Sequence, residues 1–130
     1  MKEVIFRGKA KDGKWVKGFY CKQYNSEPPY ARDGIMHERL DGMVAYSTTE
    51  VARETIGQYI GLCDRNGTQI FAGDIVSYRG EHAVIVYDEE TARFCLSFDT
   101  WSTDFDHLYG KDVEVIGNAY DNPELREGES

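Results

Sequence analysis

No stretch of this 130-residue chain approaches the roughly 20 consecutive apolar residues that span a bilayer. The opening, MKEVIFRGKAKDGKW, carries no hydrophobic block of the secretory kind. The expectation is a cytoplasmic protein without a membrane partner. Cysteine is scarce: Cys21, Cys63 and Cys95 are scattered, and no C-x-x-C pair supports a zinc ribbon or a redox couple. The expectation is three buried free thiols. Histidine is equally sparse. His37, His82 and His107 never fall at the i, i+4 spacing of a helical zinc site, and HERLD is not H-E-x-x-H. His107 has Asp104 and Asp106 beside it, and reads as a polar loop residue. His37 reads as a loop residue and His82 as solvent-facing.

Phosphate motifs are missing too. The stretch TIGQYIGLCDRNGTQIFAGDIV, residues 55–76, is glycine-rich but lacks the spacing and the lysine of a P-loop, and it holds no G-x-G-x-x-G. Asp64-Arg65-Asn66-Gly67 begins like a calcium loop. However, glycine arrives at the fourth position rather than the sixth, and no acid stands at the twelfth. The expectation is no metal, no cofactor and no enzymatic activity.

Basic charge is scarce outside the first 23 residues. Those carry seven Lys/Arg and two acids, net +5, whereas the other 107 carry eight and 21, net −13. The acidic bulk opposes general nucleic-acid binding, which needs basic surface to release counterions. It leaves room for local contact through the basic end, or for an acidic body that mimics DNA to a host protein.

What the chain has in quantity is turn and strand chemistry: 13 glycines and nine tyrosines. Residues 4–22 read as a β-hairpin around Asp12-Gly13, with a type I′ turn. Residues 23–42 read as irregular, since Pro28-Pro29 forbids a central strand. MVAYS reads as a strand and TTEVARET as a turn or one helical turn. From Thr55 on, short strands follow one another through 55–62, QIF, IVSYR, HAVIVYD, ARFCLSFD and VEVIGNAY, with a polar loop at 99–112. Asn122-Pro123 reads as the cap and first position of a short helical turn. The fold class is mainly β with little helix: an SH3-like barrel or meander over 55–125, an N-terminal hairpin subdomain with its irregular segment over 1–54, and a frayed acidic tail at 126–130, all expected in one compact unit. Closure into a barrel is expected because it removes strand edges.

Gln58 falls on the apolar face of its strand. Either a bulge at Gly57 turns it outward, or it bonds within the fold, or it meets a ligand, since an unpaired buried amide costs about 1–3 kcal/mol. Asp74, after glycine at a strand entry, reads as an acceptor of turn amides. Asp64, Asn66, Gly67 and Gly73 read as the chemistry of tight turns, with Tyr59 on the strand that precedes them. Lys9, Lys11, Lys14 and Lys17, with Trp15 and Tyr20, are the candidate nucleic-acid contacts, as one basic, aromatic face.

Two blocks, ETIGQYIGLCDRNGTQIFAGDIV and EVIGNAYDNPEL, resemble the signature blocks of the YopX family, small proteins of phages and prophages. FRGKAKDGKWVKGFY resembles that family's opening segment. The resemblance spans nearly the whole chain and includes Asn118 and Tyr120. It implies a mostly β, self-associating protein with no established activity. Cys63 departs from the pattern, standing where a charged residue such as lysine is common. The resulting expectation is a non-catalytic phage accessory protein that binds itself or a phage or host protein, with nucleic acid the alternative partner.

Overall fold

The computed structural model describes residues 5–38, 45–105 and 111–127. The protein is mainly β, built on two antiparallel sheets that are not closed into a barrel. It divides into two compact units, Met1–Gln58 and Tyr59–Ser130.

In the first unit β1 (Phe6–Lys9), β2 (Trp15–Tyr24), β3 (Ala31–Glu38) and β4 (Tyr46–Glu50) lead through a short 3-10 turn, Arg53–Thr55, to the start of β5 (Gly57–Cys63). The strand order is β4-β3-β2-β1-β5. The expected hairpin forms, with Lys9 opposite Trp15 and Arg7 opposite Lys17. Its turn differs from type I′, because of these residues only Gly13 has positive φ, at 85°. The Gly13 N–H reaches the Ala10 carbonyl at 3.0 Å, and the Ala10 N–H reaches the Lys14 carbonyl at 2.9 Å. This is a three-residue loop closed by a glycine bulge. Asp12 selects it by accepting the Lys14 N–H at 2.9 Å.

The segment expected to be irregular contains β3. Pro28 and Pro29 sit in the β2–β3 connection, where the Asn25 N–H bonds the Tyr30 carbonyl at 2.8 Å. The prolines therefore end one strand and start the next, and the ladder escapes their missing donors. Thr48 to Glu50 extend β4 and are not the expected turn. Ile35 and Val51 are buried here. Gly8 makes room for Val51, whose Cγ2 would lie 2.7 Å from a Cβ at that position.

The second unit continues β5 and adds β6 (Gln69–Phe71), β7 (Asp74–Tyr78), β8 (Glu81–Asp88), β9 (Arg93–Ser97), β10 (Ser102–Asp104) and β11 (Val113–Asn118), then a 3-10 turn, Pro123–Glu127. Its sheet runs β10-β9-β8-β7-β11. The core gathers Ile60, Ile70, Val76, Ile85, Leu96 and Val113. The expected β9 start at Ala92 is corrected: Ala92 has φ 55° and belongs to the turn. Residues 102–104 form a strand inside the segment expected to be loop.

The expected barrel does not close because β11 crosses back to β7 while β8, β9 and β10 move away from it, so different strands end each side. The edges are handled otherwise. β10 is three residues long and carries the Arg93–Asp104 ion pair at 2.6 Å. β11 is bulged between Val115 and Gly117, and its outer edge is covered by the β5–β6 turn: the Val115 N–H donates to Asp64 Oδ2 at 2.9 Å, and the Arg65 N–H reaches the Val113 carbonyl at 3.1 Å. Short strands, charge, bulges and a covering loop do what closure would have done.

Candidate functional site

Most of the signature residues converge on that turn or on its neighbours. Asp64 is buried, and its Oδ1 accepts the N–H groups of Asn66 at 2.8 Å and Thr68 at 2.9 Å. Gly67 supplies the left-handed position, with φ 84°. Asn66 Nδ2 and Arg65 both reach the Glu114 carboxylate, at 3.1 and 2.8 Å. Burial pushes the Asp64 carboxyl upward, but the N–H bonds from Val115, Thr68 and Asn66, helped by Arg65, outweigh it and hold the group below its ordinary value. These three bonds are all internal: two hold the turn itself and one ties it to β11.

Gly73 and Asp74 do the same at the β6–β7 corner. Gly73 has φ 96°, its N–H bonds the Ile85 carbonyl at 2.7 Å, and its carbonyl accepts the Ala119 N–H at 2.8 Å. Asp74 is buried and accepts the Phe71 N–H at 2.8 Å, as its position predicts. Asn118 Oδ1 accepts the N–H groups of Tyr120 and Asp121, while Tyr120 itself is exposed. Asn122 turns its amide oxygen back to the Asn118 N–H at 3.2 Å, and the lack of a side chain on Gly117 admits it. Tyr59 is buried against Phe71, ring centroids 5.6 Å apart. Gln58 is half-buried opposite Phe6, and the bulge of β5 falls beyond it, at Gly61 with φ 92°, instead of at Gly57.

The hairpin residues form a surface. Strand alternation and register put Arg7, Lys9, Trp15, Lys17 and Phe19 on one face of the first unit's sheet. The Arg7 guanidinium lies 4.9 Å from the Trp15 ring centroid and the Lys9 ammonium 5.9 Å from it. Lys11 and Lys14 stand exposed in the turn beside them. Tyr20 does not join this face. It pairs with Ile35, touches Phe6 and donates its hydroxyl to Asp33.

On the same face Phe19 pairs with Met36, and Glu38 with Tyr46. Trp15, Lys17, Phe19, Met36, Glu38 and Tyr46 line an open groove of about 570 Å3. Phe19 is 58% exposed and Tyr46 62%, so two large rings of the groove face water. Sequence reading missed Phe19, Met36 and Tyr46. The alternation of Trp15, Lys17 and Phe19 was the available signal for one of them. Met36 lies in β3, which pairs with β2, and Tyr46 in β4, which pairs with β3, so neither is placed on the face by its own segment alone.

The remaining candidates are dispersed. His37 lies in β3, not a loop, with Nε2 at 2.6 Å from Thr49 Oγ1 and Nδ1 at 2.8 Å from the Glu38 carbonyl. His82 is half-buried, not solvent-facing, with Nδ1 at 3.2 Å from the Leu125 carbonyl. His107 lies outside the described residues. Of the thiols only Cys95 is buried, where burial and then Asp104 push it up; Cys21 is half-buried and Cys63 exposed. Cys63 closes β5 next to a surface turn, which is why it escapes burial. Among the described residues no group of three His, Cys, Asp or Glu could hold a metal ion. No helix among them is long and apolar enough to cross a membrane.

The model of the family described as YopX protein matches residues 5–127. The chain belongs to the YopX family. Within the second unit, the Asp64 and Gly73 bonds tie residues 59–76 to residues 113–119, two segments that lie inside the matched range. No curated protein matches the chain. Among solved structures, the crystal structure of protein EF1440 from Enterococcus faecalis is similar to this YopX protein, with a TM-score of 0.58 at 21% identity, covering 98% of this chain and 100% of that one. At that identity the likeness concerns the fold alone.

Proposed function

We propose that this YopX protein is a non-catalytic binding module, a phage or prophage accessory protein of the bacterial cytoplasm, whose recognition surface is the groove face of the first unit's sheet. The observation that carries the reading is the exposed cluster of Phe19, Tyr46 and Met36 beside half-buried Trp15 on one regular sheet face. Aromatic and methionine side chains are the residues enriched where proteins meet. Exposed rings on a rigid strand face lose little freedom when covered. The occupant is a protein: a second copy or a phage or host partner.

The signature residues support this division of labour. Their polar groups are spent on turns and edges of the second unit, so these residues hold its scaffold, and the groove lies in the first unit.

The test combines sedimentation of the purified chain over a concentration range with affinity purification from phage-producing cells. Phe19→Asp is compared with the unaltered protein in both. The expected outcome is that the substitution removes self-association or the captured partner while circular dichroism stays the same. A Phe19→Asp chain that matches the unaltered protein in both assays overturns the reading.

A further inference from the structure

We infer that the groove takes an extended acidic polypeptide segment of another protein, with one bulky apolar side chain over Phe19 and Met36 and carboxylates meeting Lys14 and Lys11. The inference rests on the binding-module reading and adds the chemistry of the partner. The first ground is charge. At the β1–β2 end of the groove Lys11 and Lys14 stand exposed in the turn, where Asp12 accepts the Lys14 backbone N–H, and Arg7, Lys9 and Lys17 follow on the adjoining strands, each engaged in contacts of its own. By unit the contrast is sharp: residues 1–58 carry ten Lys/Arg and eight acids, net +2, whereas residues 59–130 carry five and 15, net −10. Complementary charge steers encounter and selects partners.

The second ground separates a polypeptide from a single-stranded nucleic acid, the other polyanion with flat groups. The Arg7 and Lys9 cations already lie against the π surface of Trp15, so a base would have to displace them to stack. Glu38 lines the groove opposite Tyr46, and Glu50 follows on the same face, paired with Arg32 at 3.3 Å. A phosphate chain running along the groove would pass these carboxylates. A polypeptide can set its acids at the lysine end and neutral residues over Glu38. Met36, flexible and polarizable, suits an inserted side chain of variable shape.

The experiment uses the full chain with Trp101→Phe, which leaves Trp15 as its one tryptophan. Its emission is titrated with a poly(Glu,Tyr) copolymer, polyglutamate, poly(Lys,Tyr) and a thymidine strand of matched length, at about 50 mM salt where screening is modest. The expected result is saturable binding of poly(Glu,Tyr), at least about tenfold tighter than polyglutamate, the gain of an aromatic anchor. It weakens with salt and by a similar factor in Lys11→Glu/Lys14→Glu. Phe19→Asp lowers the copolymer to the polyglutamate level. Equal affinity for polyglutamate overturns the anchored segment in favour of charge alone. Tighter binding of the thymidine strand overturns the polypeptide. Preference for poly(Lys,Tyr), or no response to poly(Glu,Tyr) in a chain whose self-association or partner capture is lost with Phe19→Asp, overturns the acidic partner and leaves the proposed function standing.

Discussion

At the scale of single residues, Asp64 is the most consequential side chain in the second unit. It has the position of a metal ligand in a calcium-like sequence, yet it holds backbone amides of its own turn and of β11. Asp64→Ala removes three charge-assisted bonds from a buried site and leaves their donors unmet. The expected cost is about 3 kcal/mol in urea unfolding. Because the folded carboxyl sits below its ordinary value of 3.8, its contribution is fully present above that pH and is lost as pH falls through the lower folded value. An Asp64→Asn chain should therefore show a flatter decline of stability below about pH 4 than the unaltered protein, measured by denaturant midpoints. The thiols give a second outcome. A small alkylating reagent should modify Cys63 within the native state and reach Cys95 only on unfolding, which mass spectrometry of timed samples reads directly. Burial and Asp104 both disfavour the Cys95 thiolate, the reactive form.

Among the elements, glycine marks two different constraints, one within β2 and one in the turn that precedes it. Gly18 sits where a Cβ would fall 2.0 Å from the Met36 carbonyl oxygen, so β2 and β3 are held closer there than any side chain permits. Gly13 has open space but a φ of 85°. Gly18→Ala should cost about 2–3 kcal/mol by overpacking, and Gly13→Ala about 1 kcal/mol by backbone strain. Denaturant midpoints that rank the two equally would refute the steric account. These elements also show what a sequence makes legible. The hairpin of 4–22, β7, β8 and β11 could be read because alternation and turn residues lie within one window. The β3 strand could not, because Pro28-Pro29 dominates the local signal while its pairing with β2 is not local. The expected barrel fails for a related reason: alternation reveals strands, but which strand an edge meets depends on the crossover of β11. Likewise the candidate lysines and Trp15 were legible by type, while the groove needed Met36 and Tyr46, brought beside them by β3 and β4.

Across the whole molecule, the Asp64 and Gly73 corners and the candidate recognition surface are carried by different units, the second net acidic and the first net basic. Stability and recognition are then separable by mutation. Phe19→Asp, at a position 58% exposed, should shift unfolding free energy by less than about 0.5 kcal/mol while abolishing partner binding. Differential scanning calorimetry beside the binding assay checks both halves, and a large loss of stability would return Phe19 to the scaffold. The turn over β11 has one more consequence. Asp64 and Arg65 cap backbone groups of a strand with no other neighbour on that side in its sheet. Removing the cap without unfolding the unit turns a finished sheet into a template for further strands. An Asp64→Ala chain should therefore be lost to fibrils at concentrations where the unaltered protein stays monodisperse, and thioflavin fluorescence with a lag phase would record it.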